Sequence, residues 1–517
     1  MKIERTKNAA RNIIFGVLLK AYQIIVPFLM RTAMIYFMGV EYLGLSSLFA
    51  SILQVLNLAE LGVGSAMVYS MYKPIAEDDT SIICALLKLY RTYYTAIGAV
   101  IAVIGTVLTP FIPYLIKSNL PSSLNVYVLY LLNLMATVLS YWLFSYKNAL
   151  FQAHQRLDVT SKITLITVTF QYALQLAVII IIKDYYIYVI AALLTQVSTN
   201  IITAIAATKM YGNYQPQGQL DTRTVKEINH RIRDLFTSKI GGVVVNSVDT
   251  IVISTFLGLT VLAVYQNYFY LITAVTGILS TVFFAVTAGI GNSIITETKE
   301  KNFDDLNKFT FIIAWVAGVC TCCFLCLFQP FMRLWVGSEL LLEFPVVICF
   351  CIYFYVVEIN QLLNTFKDAA GIWHEDRFRP LVTAIVNLGM NLIMVQFWGI
   401  YGVIFSTALS MLSVGMPWLL HNIFTVLFDK DYLVPYLKKL LFYVFAVFVA
   451  AILSYWLCSV MQLPDILLII VRLVICCIIP NIIFLLAYHR MHEFKASMRL
   501  INKMTKEKIR FLKKFES

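Results

Sequence analysis

The sequence predicts an all-α polytopic membrane protein of about fourteen transmembrane helices. It reads as two pseudo-symmetric six-helix halves plus two extra C-terminal helices, with both termini cytoplasmic. Three observations lead there. Of 517 residues, 60% are apolar and only 13% charged, whereas soluble domains carry about 45–50% apolar and about 25% charged residues. The apolar residues come in runs of about twenty, the length that crosses a bilayer as a helix. Lys and Arg are confined almost wholly to alternate loops. A mean hydropathy of +0.79 excludes a soluble enzyme, a disordered scaffold and a small disulfide-stapled domain.

The expected spans are 13–38, 43–70, 90–116, 124–146, 160–182, 185–208, 238–259, 261–294, 310–336, 344–366, 380–398, 401–427, 434–458 and 466–488. From a cytoplasmic N-terminus, 34 of the 40 basic residues fall in or at the edges of inner segments. Lys117, Lys183 and Arg333 lie on the outer side, and Lys20, Arg31 and Arg472 fall inside spans. A span missed in the middle would have inverted this pattern downstream. The net charge of +12 therefore records orientation and gives no reason to expect nucleic acid. No cleavable secretory signal is expected, because the first apolar run is full span length and lacks a small-residue cleavage site.

Five segments follow: an N-terminal half (1–208), a cytoplasmic linker (209–237), a C-terminal half (238–427), helices 13 and 14 (428–488) and a basic tail (489–517). The linker carries Val225, Ile228, Ile232, Leu235 and Phe236 at helical spacing against Lys226, Arg231 and Arg233, the pattern of a helix lying in the membrane interface. The tail sets Phe494, Met498, Ile501, Met504, Leu512 and Phe515 against nine basic residues, and reads as a surface-resting segment able to grip anionic lipid. The outer loops are too short for an external catalytic domain. The cysteines sit in apolar runs as small hydrophobes. Cys320, Cys323 and Cys326 contain CxxC spacing without a nearby His or carboxylate, so no metal is expected.

An internal repeat links the halves. Phe37-Met-Gly39-Val-Glu-Tyr-Leu-Gly-Leu45 and Phe256-Leu-Gly258-Leu-Thr-Val-Leu-Ala-Val264 both fit F-[ML]-G-[VL]-x-x-L-[GA]-[LV]. Gly62-Val-Gly64 and Gly289-Ile-Gly291 follow each. Parallel halves of this kind are a secondary-transporter plan.

The segments Arg31–Gly39, Glu41–Ser47, Leu58–Ala66 and Tyr72–Pro74, with Asn246-Ser-Val-Asp249, resemble the polysaccharide transporter family. These are flippases for lipid-linked oligosaccharides, O-antigen units among them, within the superfamily that also holds multidrug exporters and the lipid II flippase. The resemblance implies translocation of polyprenyl-diphosphate-linked oligosaccharide across the bacterial cytoplasmic membrane. Its expected partners are the bilayer, an undecaprenyl-diphosphate-linked glycan and a polysaccharide polymerase or assembly factor. A cation-coupled multidrug exporter is the alternative, and a membrane polymerase or glycosyltransferase a remote one. No cofactor is expected beyond a coupling H⁺ or Na⁺, and the chain is not expected to be an enzyme.

Ionisable groups inside a membrane are functional candidates. Lys20 and Arg31, eleven residues apart, share one face of the first span, with Pro27 between them. Lys20 is near enough to the inner end to snorkel. Arg31 suits phosphate through its planar fork, and the family resemblance implies that it holds the pyrophosphate. The repeat sets Arg31 against Thr250, beside Asp249, so Asp249 is expected roughly opposite Arg31. Glu60, Asp249 and Glu358 are candidates for ion coupling, though Glu60 and Glu358 serve equally to neutralise a basic partner. Arg472 either snorkels or touches a lipid phosphate. Asn246, Gln54, Asn57, Gln266 and Asn267 complete the expected substrate contacts. Polar stripes on spans two, four, five, eight, ten and eleven suggest a wet central cavity. Spans three, nine, thirteen and fourteen read as lipid-facing.

Overall fold

A computed structural model describes residues 5–117, 124–461 and 463–504, all helix and connecting loop with no strand among them. By contacts the chain divides into two compact units, Met1–Ala263 and Val264–Ser517.

The first unit contains α1 (Arg5–Phe37), α2 (Val40–Leu56), α3 (Val63–Ala76), α4 (Thr80–Leu108), α5 (Val126–Trp142), α6 (Asn148–Ala153), α7 (Leu157–Ala177), α8 (Tyr185–Met210) and α9 (Thr222–Leu257). Asp79, Asn125, Asp184 and Asp221 each cap the helix that follows by accepting a backbone N–H near its start. The repeat motif forms the same corner twice. Gly39 (φ 124°) separates α1 from α2, and Gly258 (φ 96°) separates α9 from α10 (Leu259–Thr296), which carries the chain into the second unit. Only glycine takes such backbone angles at little cost.

The second unit continues with α11 (Lys299–Val336), α12 (Phe344–Ala369), α13 (Arg379–Ser410), α14 (Met416–Val426), α15 (Leu433–Ser459), α16 (Asp465–Tyr488) and α17 (His492–Met504). Among the described residues twelve helical segments qualify as spans by length and apolarity, or thirteen when the bent pair Val126–Trp142 and Ser145–Ala153, angled by 49°, is counted as one. One of the twelve, Arg379–Val426, has 48 residues. At 1.5 Å per residue that is about 72 Å, roughly twice what a bilayer needs. It folds back at Gly399 (φ 54°, ψ −131°). Asn387 Nδ2 donates to Thr407 Oγ1 at 3.0 Å, and Ser406 Oγ donates to Asn391 Oδ1 at 2.7 Å, closing an antiparallel hairpin. The expected spans 380–398 and 401–427 fall on its two arms.

Four expectations are corrected. The second span does not run to residue 70: it breaks after the turn Asn57–Glu60, at Gly62 (φ 90°). The matching Gly289 and Gly291 stay inside α10. Residues 222–237 are no separate interfacial helix but the first part of the 36-residue α9. Their apolar face packs on protein: Ile228 is buried, and Leu235 and the Ile232 carbonyl press against Gly62. The ninth span, α11, does not face lipid but forms the centre of its unit, with α12, α15 and α16 packed around buried Ala314, Ala317, Gly318 and Thr321. A Cβ on Gly318 would meet Val447 at 2.7 Å and Phe484 at 2.8 Å. The tail begins as a docked helix: Phe494 is buried and stacks on Trp315, and Lys439 pairs with buried Glu493. The side chains of Ile501 and Met504, and residues 505–517 with Leu512 and Phe515, lie outside those described.

Candidate functional site

The break in the second span builds the clearest site. Where α2 ends, Glu60 is held at the start of α3, with its carboxylate in reach of the Gly64 backbone N–H. A helix start offers unpaired N–H groups and a favourable dipole to such a charge. The Tyr94 hydroxyl donates to Glu60 Oε1 at 3.1 Å, and Tyr90 donates to Tyr94 at 2.6 Å. Tyr141 stands edge-on to Tyr94 and donates to Asn57 Oδ1 at 3.1 Å.

These groups line a cavity of about 440 Å³ together with Ser65, Ser140, Ser145, Asn148, Gln152, Gln196 and Asn200. A second space of about 280 Å³, between α7 and α8, continues past the shared residues Ser145, Asn148, Gln196 and Asn200 to Thr164, Gln171 and Thr199. The lining is mostly hydroxyl, amide and phenol, with one carboxylate and a few apolar residues such as Ala149, Phe144 and Val168. Asn148 Oδ1 is buried without a hydrogen-bond partner, and such a buried acceptor is costly until a donor reaches it. Lys239 of α9 approaches Ser65 Oγ at 3.4 Å and acts electrostatically on Glu60. Sequence reading missed Lys239 because it lies among the loop-edge charges of the positive-inside pattern.

The other expected residues are distributed. Arg31 is half-buried on α1 and engaged in an interaction. It lies close enough to Tyr188 of α8 to act on it electrostatically, where Tyr188 stacks on Tyr185 at 5.7 Å. Lys20 and Gln54 are exposed. Arg31, Lys20 and Gln54 do not line the Glu60 cavity, and Asn57 reaches it only through Tyr141. Asp249 is buried on α9 and also engaged. The Asn246 side chain lies outside those described. In the second unit, Asn267 is buried and Gln266 half-buried on α10. Glu358 on α12 is fully buried, with the Thr276 side chain of α10 close to its carboxylate. The stripe Thr383, Asn387 and Asn391 is buried: Asn387 and Asn391 hold a helical hairpin together, and the Thr383 hydroxyl donates to the Arg379 carbonyl of its own helix. Arg472 turns inward: its Nη1 donates to the Cys326 carbonyl at 3.0 Å.

Buried ion clusters at two inter-helix turns were not anticipated. In the first unit Arg156 contacts fully buried Asp158 at 2.9 Å, with Lys162 at 3.6 Å. In the second, Arg379 contacts Asp376 at 2.6 and 2.8 Å, and Asn422 and Lys367 also reach that carboxylate. The i, i+3 spacing of Asp376 and Arg379 was the available signal.

The family model for polysaccharide biosynthesis proteins matches residues 9–287. The chain belongs to that family. Its fold is similar to that of the lipid II flippase MurJ in an inward closed conformation, with a TM-score of 0.69 at 13% identity over 92% of this chain and 99% of the other. It is also similar to an inward-facing multidrug resistance MATE family transporter of the MOP superfamily, with a TM-score of 0.61 at 12% identity over 80% and 96%. For the MATE transporter VcmN of Vibrio cholerae the TM-score is 0.54 at 14% identity over 81% and 96%. No curated protein matches the chain. The family member is thus a multi-pass membrane protein with the fold shared by these transporters.

Proposed function

We propose that this protein is a flippase. It moves polyprenyl-diphosphate-linked oligosaccharide from the inner to the outer leaflet of the bacterial cytoplasmic membrane by alternating access, for capsule, O-antigen or exopolysaccharide assembly. The observation that carries this reading is the lining of the first unit's cavity: serine, asparagine, glutamine and tyrosine side chains around one carboxylate. Such groups exchange hydrogen bonds with sugar hydroxyls, and the aromatic rings offer faces to sugar C–H surfaces. Arg31 and Lys20 are the proposed pyrophosphate contacts, with Lys239 added near the cavity. Asp249, Asn246, Gln54, Asn57, Gln266 and Asn267 are proposed to line the substrate path. Coupling to H⁺ or Na⁺ is assigned to Glu60, Asp249 or Glu358. Arg472 is not kept as a lipid contact, because its Nη1 bonds the Cys326 carbonyl and its Nε is buried.

The family match and the MurJ-like fold support this reading. The test is outer-leaflet delivery of lipid-linked oligosaccharide in cells lacking the native protein. The wild-type chain should restore it, and Arg31→Ala should fold yet fail. Unimpaired delivery by that variant removes the pyrophosphate grip, and delivery without any copy of the protein removes the function.

A second reading, a cation-coupled multidrug exporter, is favoured by the carboxylate-centred cavity and the MATE-like fold. Efflux of cationic dyes from proteoliposomes, with no movement of lipid-linked sugar, would select it. New glycosidic bonds formed by purified protein from donor lipid would instead indicate an enzyme.

A further inference from the structure

Cys326, Cys458 and Cys476 come from α11, α15 and α16 and are separated by at least eighteen residues in sequence. Their three sulfur atoms lie within 4.8 Å of one another, and all three residues are buried. Apolar packing alone does not require three thiols to converge from three helices, since any small hydrophobe fills such a space.

We propose that this cluster is a binding site for a soft monovalent metal ion, Cu(I), held by three sulfurs. The spacing fits: with metal–sulfur bonds of about 2.3 Å, a trigonal arrangement sets its sulfurs about 4.0 Å apart. Thiolates select soft ions. Zn(II) in a structural site takes four ligands, and the group holds three, with no His or carboxylate among them. Cys323 packs against the cluster and reaches Cys476, but it is not among the sulfurs that all lie within 4.8 Å of one another.

Charge points the same way. Cu⁺ held by three thiolates, with three thiol protons released, leaves a site of charge −2, which a nearby cation partly neutralises. Arg472 supplies it. Its Nη1 is fixed by the Cys326 carbonyl at 3.0 Å, and its guanidinium is close enough to Cys458 to interact electrostatically. Its Nε is buried with no hydrogen-bond partner. An Arg inside a membrane otherwise costs several kcal/mol, and an anionic metal–thiolate site gives it a function.

The site is independent of the flippase reading, and its test does not use transport. The reduced, detergent-purified full chain is titrated against Cu(I) held by bicinchoninate. Wild type should withdraw one equivalent. Cys458→Ala and Cys476→Ala should each weaken binding at least tenfold, while Cys84→Ala and Cys349→Ala leave it unchanged. X-ray absorption of the wild-type complex should show three sulfurs and no nitrogen or oxygen ligand, a readout that needs no variant to fold. Failure to compete for Cu(I), unchanged binding by a monodisperse C326A/C458A/C476A variant, a ligand set other than three sulfurs, or preference for Zn(II) would each overturn the proposal.

Discussion

The Tyr94 hydroxyl donates to Glu60 Oε1 at 3.1 Å while accepting from Tyr90 at 2.6 Å, so two phenols of α4 hold the carboxylate at the broken end of the second span. Removing the charge and removing the donor should separate in effect. Glu60→Gln keeps shape and should lower outer-leaflet delivery at least tenfold while leaving thermal unfolding nearly unchanged. Tyr94→Phe deletes one hydrogen bond, worth about 1 kcal/mol, and should reduce delivery only a few-fold. Full delivery by Glu60→Gln would exclude the carboxylate from transport.

The hairpin at Gly399 closes tightly. A Cβ on Gly402 would stand 2.3 Å from the Met394 carbonyl oxygen, whereas one on Gly389 meets nothing within 4 Å. Gly402→Ala should therefore lower thermal stability by about 1–3 kcal/mol, the range for overpacking. Gly389→Ala should match or exceed wild type, as expected for a helix interior.

Asp376 accepts from Arg379 and Asn422 and faces Lys367 at 3.5 Å, in a buried environment. Asp376→Ala leaves buried Arg379 without its anion, while Lys367 keeps Asp368 at 2.7 Å, and should cost about 3–5 kcal/mol. Replacing both Asp376 and Arg379 by apolar residues should recover much of that loss. Unfolding midpoints of the single and double variants, measured in one detergent, decide it.

His154 lies just beyond α6, stacked on Tyr211 at 4.4 Å, and Nε2 is buried without a partner. Burial pushes its pKa below the ordinary value of 6.5. The unfolded chain thus binds the proton more readily. Stability is complete above about pH 6.5 and declines as pH falls below it. Wild type should lose thermal stability between pH 7.5 and 5.5 more steeply than His154→Asn.

Much of the architecture was legible because bilayer crossing imposes a length on each apolar run that single residues cannot escape. The hairpin at Gly399 fell between two expected spans for that reason. What stayed hidden depended on packing between distant segments. Gly62-Val-Gly64 and Gly289-Ile-Gly291 read alike, yet only the first breaks a helix, with Leu235 of α9 pressed against Gly62. The same contact explains why an amphipathic stretch that looked suited to the membrane surface is buried on protein. The Glu60 cavity was half visible, in the polar stripes of spans four and five. Its tyrosines Tyr90 and Tyr94 were not, because they lie in an otherwise apolar third span. The three-thiol cluster required knowing that α15 and α16 flank α11.

The interruption at Leu61–Gly62 also has a mechanical side. An unbroken helix is a stiff rod, and bending it means sacrificing internal backbone hydrogen bonds. Here those bonds are already absent, so α3 can swing about this joint relative to α2 with little elastic resistance. Glu60 sits at the pivot. Any change in what its carboxylate binds, whether Tyr94, Lys239 or a bound ion, therefore acts at the joint itself.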